Sequence, residues 1–375
     1  MLRILFMRAF DIRISVHKGA IKRMIAFCVF LFLVLQSVLH LTYLFRNTGW
    51  SRYNLSAFYS EPKDTLDVVF IGGSNVFRYW NPLLAYEETG FTSYNYAVEF
   101  CTPLLIEAIK DISRYQNPQL FVVDVRHFTS RYWENAITKG FYNQIDSQDI
   151  ALERLRAVSY YRTISTIGRG AFSSLIDLTH YHNNLSALSS RENWLFSVDN
   201  RNDISMSSYG SAKGFILYSH TFEQDSFSND LDQMLVSDVG ELLPGSEKAL
   251  RDFFVYCQNQ NVSVLLVMSP FVFTNQDIME SNAIANVATE YDIPFINTNF
   301  CTKEMGIDYA VDFYDQSHVN LLGAEKYTAY LTSYLTKNYY LPDHRDDSRF
   351  DSWQNEVSEY YLSVEELRSQ LEEKI

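Results

Sequence analysis

A serine that follows two glycines and, far downstream, an aspartate three residues ahead of a histidine are the residues best suited to chemistry. The first stretch is Asp67-Val68-Val69-Phe70-Ile71-Gly72-Gly73-Ser74-Asn75, an apolar run ending on the glycines. The second is Asp315-Gln316-Ser317-His318-Val319-Asn320-Leu321-Leu322-Gly323, just ahead of a helical pattern. A serine hydroxyl attacks an acyl carbon only when a base takes its proton. An imidazole is that base when a carboxylate holds its tautomer and steadies its charge. With Asp315 on the same turn, its carboxylate reaches Nδ1 of His318 and leaves Nε2 facing outward. Ser74, His318 and Asp315 are therefore read as nucleophile, base and orienter of one site.

Each stretch alone also has a plainer reading. Strand-Gly-Gly-Ser suits a phosphate-binding turn or a helix cap, and Asp315 could cap the next helix with His318 on the surface. The first stretch is not GxSxG, because position 76 is Val, and neither GxGxxG nor a P-loop follows. The pairing of the two stretches favours catalysis, since they fall in the order Ser, Asp, His at opposite ends of one alternating pattern.

That pattern must place them together. Residues 66–71, 91–97, 120–125, 262–268 and 293–296 read as strands, several apolar throughout, as strands buried on both faces are. Residues 102–115, 247–259, 276–291 and 321–338 read as helices, the first with Thr102 as N-cap and Pro103 in its first turn. The alternation predicts an α/β fold with a parallel sheet covered by helices. Between about 129 and 243 the rhythm stops, and this segment reads as an insertion of short helices and loops after the third strand. An insertion there borders the ligand crevice of an open sheet. Within it, Lys213-Gly214-Phe215 is a candidate substrate contact. Residues 339–375 read as a charged tail with an amphipathic helix.

The formal net charge is −14, which excludes a nucleic-acid partner that needs clustered Lys and Arg. Residues 1–46 carry seven Lys or Arg and one acid, leaving 24 basic and 44 acidic residues and a net −20 on the remainder. Residues 24–45 form a 22-residue stretch with no charge, long enough to cross about 30 Å of hydrocarbon as a helix. The basic residues before it place the N-terminus in the cytoplasm and the body outside. A cleaved signal peptide is the alternative; the apolar core is long for one, and no small-x-small cleavage site follows. Residues 46–63 read as a linker. Cys28, Cys101, Cys257 and Cys301 show no CxxC and no metal-ligand spacing, and read as buried thiols.

Gly-Gly-Ser-Asn after the first strand, with Asp-Gln-Ser-His-Val-Asn-Leu-Leu-Gly before the last helix, resembles the SGNH (GDSL-type) hydrolases. The resemblance covers about residues 64–128 and 245–338, and Asp-x-x-His is its more specific half. It implies a flavodoxin-like three-layer α/β/α sandwich, a serine esterase or acyltransferase mechanism and no cofactor or metal. By position it makes Ser74 the nucleophile, Asp315 the orienter and His318 the general base. With a single-span anchor, the chain is similar to the envelope proteins of teichoic-acid D-alanylation and polysaccharide O-acetylation. That similarity implies an acylated glycan or envelope polymer as substrate and a polytopic membrane acyltransferase as partner. Two departures stand out. The first block lacks Gly-Asp-Ser, and the third, where Gly-x-Asn-Asp brings an oxyanion Asn, reads Val123-Asp124-Val125-Arg126-His127-Phe128. Asn95, after the second strand, or the backbone N–H groups at Gly73, Ser74 and Asn75 are the candidate substitutes. Arg126 either binds a carboxylate or phosphate or sits in an ordinary ion pair. A non-catalytic module for a membrane acyltransferase or polymer exporter is the alternative function.

Overall fold

The computed structural model describes residues 19–38, 50–146, 151–165, 212–216 and 237–372, with Leu44 and Leu188. Contacts group the chain into two units, Met1–Arg46 with Phe172–Ser197, and Asn47–Ala171 with Val198–Ile375. In the first, helix α1 (Gly19–Val38) has a mean hydropathy of 1.9 and is long and apolar enough to cross a membrane. It begins ahead of the apolar stretch, at Gly19; the end of that stretch, apart from Leu44, lies outside the described residues.

The second unit is α/β. Five parallel strands, β1 (Val68–Gly72), β2 (Ser93–Ala97), β3 (Leu120–Asp124), β4 (Val264–Met268) and β5 (Phe295–Asn297), form one sheet in the order β2-β1-β3-β4-β5. Every residue of β1, β3 and β4 is buried, which is why their sequences are apolar rather than alternating. Edge strand β2 is buried too, and outward backbone groups of Asn95 and Ala97 are paired. Asn95 N donates to the Lys213 carbonyl at 3.0 Å, and Asn54 Nδ2 donates to the carbonyls of Asn95 and Ala97. An edge closed this way offers no template for another strand.

Asn54 belongs to α2 (Trp50–Phe58), which lies inside the stretch expected as linker. That expectation is corrected by packing: Leu55 and Phe58 are fully buried, and the Phe58 ring meets Tyr94 and Tyr96 of β2 edge-on. Helices α3 (Ser74–Phe77) and α4 (Pro82–Thr89) join β1 to β2, and α5 (Leu105–Tyr115) joins β2 to β3. α5 starts later than its sequence suggested. Thr102 Oγ1 accepts from Leu104 N, so Pro103 sits ahead of the helix rather than in its first turn.

After β3 a 3-10 turn (Arg126–Phe128) leads into α6 (Ser130–Asn135), a π-helical turn (Ala136–Gly140), α7 (Phe141–Asp146) and α8 (Ala151–Ile164). Of the expected insertion, residues 147–150, 166–187, 189–211 and 217–236 lie outside the described residues. The sheet then continues through α9 (Pro244–Gln260), α10 (Asn275–Glu290) and α11 (Thr302–Met305). A hairpin of β6 (Phe313–Asp315) and β7 (His318–Val319) precedes the closing helix α12 (Leu321–Asn338). The tail forms α13 (Asp351–Glu372), with Trp353, Val357, Tyr360 and Val364 buried on one face. Cys101 and Cys257 are buried as expected, but Cys28 is exposed and Cys301 partly so.

Candidate active site

Ser74 lies just beyond the carboxyl end of interior strand β1, as the first residue of α3. The two glycines before it are required by space, not by a left-handed turn: Gly73 has φ −112°. A Cβ on Gly72 would lie 2.4 Å from Val76 Cγ2; one on Gly73 would lie 2.8 Å from Cys101 N and from His127 Cε1. The chain can turn here only because both positions lack a side chain. Ser74 itself is partly exposed.

The β6–β7 hairpin delivers the other two residues. Asp315 and His318 face each other across its two-residue turn, Gln316-Ser317. Asp315 Oδ1 also accepts from Ser317 N at 2.7 Å, which fixes the carboxylate within the turn. Helix α12 is capped not by Asp315 but by Asn320, whose Oδ1 accepts from Leu322 N and Gly323 N. The carboxylate is thereby left to His318, whose Nδ1 lies 2.9 Å from each Asp315 oxygen. On the other side of the ring, Nε2 is 2.7 Å from Ser74 Oγ. Ser74, His318 and Asp315 therefore form one hydrogen-bonded line at the sheet's carboxyl edge.

The surroundings hold this line in a definite charge state. Burial pushes the His318 pKa down; the Asp315 bond opposes this, the Arg126 and Arg78 charges reinforce it, and the net value lies below the ordinary 6.5. Burial would raise Asp315, but the bond and charge of His318, the Ser317 N–H and Arg78 together hold it below the ordinary carboxylate value. Near neutral pH the pair is a neutral imidazole beside a carboxylate, the form that can accept a hydroxyl proton.

Three groups clamp the hairpin from below. Arg126 Nη1 donates to the Ser317 carbonyl at 2.8 Å, and the Tyr79 hydroxyl, 2.6 Å from the Pro270 carbonyl, shares its proton with the same Ser317 oxygen at 2.8 Å. Val272 N donates to the Gln316 carbonyl at 2.8 Å. Arg126 is 1% exposed, with its guanidinium near the rings of Tyr79, Tyr132 and Phe271. It is thus a buried brace for the hairpin, neither an ordinary ion pair nor an open anion site, and no sequence signal marked that role. Asp124, just before it, accepts from Arg126 N and Ser269 N, tying the ends of β3 and β4 together.

Asn75 lies against the same turn, its Oδ1 accepting from Gly73 N at 3.0 Å. Asn95 does not reach the site. It sits opposite Phe70 in the middle of edge strand β2, and its Nδ2 donates to the Trp80 carbonyl at 2.9 Å, bracing the loop after α3. Lys213 is also removed from this chemistry: its Nζ pairs with Glu61 at 3.1 Å and Glu356 at 2.8 Å, in a separate cleft of about 360 Å³ lined also by Trp50 and Tyr53. His127, left without a role by the sequence, stands beside Gly73. Compared with protein-family models, curated proteins and solved structures, the chain matches none.

Proposed function

We infer that the protein is a membrane-anchored serine ester hydrolase or O-acyltransferase of the SGNH type, acting on acyl esters of a cell-envelope glycan or polymer. The observation that carries this reading is the 2.7 Å contact between Ser74 Oγ and His318 Nε2, with Asp315 behind the ring. Hydrogen-bond reach between nucleophile and base is what proton transfer demands. The strand order 2-1-3-4-5, that of flavodoxin-like doubly wound sheets with their sites at the carboxyl edge, supports the three-layer reading.

In this mechanism Ser74 Oγ attacks the acyl carbonyl carbon as its proton passes to His318 Nε2. Asp315 stabilises the imidazolium that forms. The carbonyl π electrons move to the oxygen, where the backbone N–H groups of Ser74 and Asn75, in the unpaired first turn of α3, offer donors. Collapse breaks the ester bond, and the leaving alkoxide takes the proton from His318. A water or glycan hydroxyl then attacks the Ser74 ester, giving its proton to His318 on the way in; His318 returns that proton to Ser74 Oγ as the acyl group leaves. Basic residues ahead of α1 put the N-terminus in the cytoplasm and the site outside, beside a polytopic acyltransferase as partner.

A serine-directed fluorophosphonate applied to the full chain tests the reading. Stoichiometric labelling, abolished by Ser74→Ala together with ester turnover, is expected. Turnover by Ser74→Ala within a few-fold of wild type overturns it, because loss of a nucleophile costs several orders of magnitude. An unlabelled wild type favours the non-catalytic module instead.

A further inference from the structure

Two polar side chains next to Ser74 take no part in moving its proton. His127, in the turn after β3, is 4% exposed, and its Nδ1 is buried without a hydrogen-bond partner among the described residues. The Asn75 amide spends its oxygen on Gly73 N, which leaves Nδ2 buried and equally unpartnered. Buried polar atoms are nearly always paired, so two orphans around one glycine call for an explanation.

Position supplies it. A Cβ on Gly73 would lie 2.8 Å from His127 Cε1 and 2.9 Å from Asn75 Oδ1. Cε1 is the carbon between the two ring nitrogens, so the working edge of His127 borders the turn that presents Ser74. An acyl carbonyl attacked by Ser74 Oγ would place its developing negative charge within this turn, where N–H donors set in advance are worth most.

We propose that His127, as a neutral imidazole, donates an N–H to the oxyanion formed on the carbonyl that Ser74 attacks, with the Asn75 side-chain amide as a second donor. The assignment rests on the esterase or acyltransferase reading above and names the residue that does the work of the missing third-block Asn. Burial, the adjacent Arg126 charge and His318 all hold the His127 pKa well below the ordinary imidazole value, so the ring stays uncharged. Among the described residues it has no carboxylate partner and no hydrogen bond to the Ser74 hydroxyl, which lies 2.7 Å from His318 Nε2. Donation is the role that remains.

The test follows p-nitrophenyl acetate turnover by the full chain in detergent, comparing wild type with His127→Leu and His127→Gln. The Leu variant is expected to lose on the order of 10²-fold in kcat while KM moves by less than about threefold, as befits a contact made only in the transition state. The Gln variant keeps an N–H and regains roughly tenfold of that loss. A Leu variant within about threefold of the wild-type kcat overturns the assignment, as does equal loss in Leu and Gln with unchanged melting. If the Leu variant does not fold, wild type labelled with nitrogen-15 histidine gives the second readout. Phosphonylation of Ser74 sets a phosphonyl oxygen in the oxyanion position, and the His127 N–H resonance moves downfield; an unmoved resonance also overturns the assignment. A wild type inert to both ester and probe sinks the esterase reading with it, whereas a reactive wild type beside an indifferent Leu variant sinks this assignment alone.

Discussion

Arg126 Nη1 donates to the Ser317 carbonyl at 2.8 Å, joining the end of β3 to the tip of the hairpin that carries Asp315 and His318. One buried guanidinium therefore does two things at once. It holds the backbone between Asp315 and His318, and its charge depresses the pKa of His318.

Replacing it separates the two effects. Arg126→Met is expected to lower kcat/KM by roughly 10²-fold, the scale for a misplaced catalytic group, and to move the acid limb of the pH profile to higher pH. Arg126→Lys keeps a charge but not the planar fork, so it retains more of the limb's position than of the rate. Both are read from kcat/KM profiles on one ester; a Met variant with an unmoved limb rules out the field effect.

Wild type itself should show an acid limb below 6.5, because the proposed mechanism needs neutral His318 and its folded pKa lies under that ordinary value. Asp315→Asn should cost about 10⁴-fold near neutral pH, since an amide cannot enforce the Nδ1–H tautomer. A limb above 6.5 in wild type would contradict the depressed pKa of His318.

Much of this site was legible in sequence, for local reasons. The spacing of Asp315 and His318 lies within a few residues, and the buried strands announce themselves as apolar runs. What was not legible depends on partners far along the chain. Asn95 looked like a free donor, but the Trp80 carbonyl claims its amide. Helix α2 hid in a polar stretch because the surface that orders Leu55 and Phe58 is strand β2. Arg126 drew notice as an anion or ion-pair residue, but its bracing role had no local mark, because what it braces is the Ser317 carbonyl.

Gly73→Ala tests the space argument. Its new Cβ would meet Cys101 N, a backbone atom, at 2.8 Å, so the Ser74 turn must shift. A loss of roughly 10²-fold in kcat and about 1–3 kcal/mol of stability is expected. Gly306→Ala is the control: nothing lies within 4 Å there but φ is +67°, so it should cost about 1 kcal/mol and leave turnover intact. Denaturant unfolding and the ester assay separate the two.

Acid should destabilise the fold earlier than carboxylate protonation alone would. His127 and His318 both have folded pKa values below 6.5, so the unfolded chain binds their protons first. Their contribution is full above about 6.5 and is lost as pH falls below it. Asp315, held below its ordinary 3.8, adds a second loss at lower pH. Unfolding midpoints measured downward from neutral pH should already fall before carboxylates titrate, and His127→Leu should flatten that first decline.

Lys213 offers a stability test independent of the catalytic line. Its side chain is 5% exposed, with the ammonium paired to Glu61 and Glu356 and set 4.5 Å from the Trp353 ring. Taking two carboxylates out of water is tolerable only with that cation between them, so Lys213→Met leaves an uncompensated like-charge pair and should cost about 3–5 kcal/mol. Adding Glu61→Gln and Glu356→Gln removes the repulsion and should restore a large part of that loss, which a mere packing defect at position 213 would not allow. Chemical denaturation of the single and triple variants decides it: an unrestored triple variant would place the cost in packing against Trp353 rather than in charge.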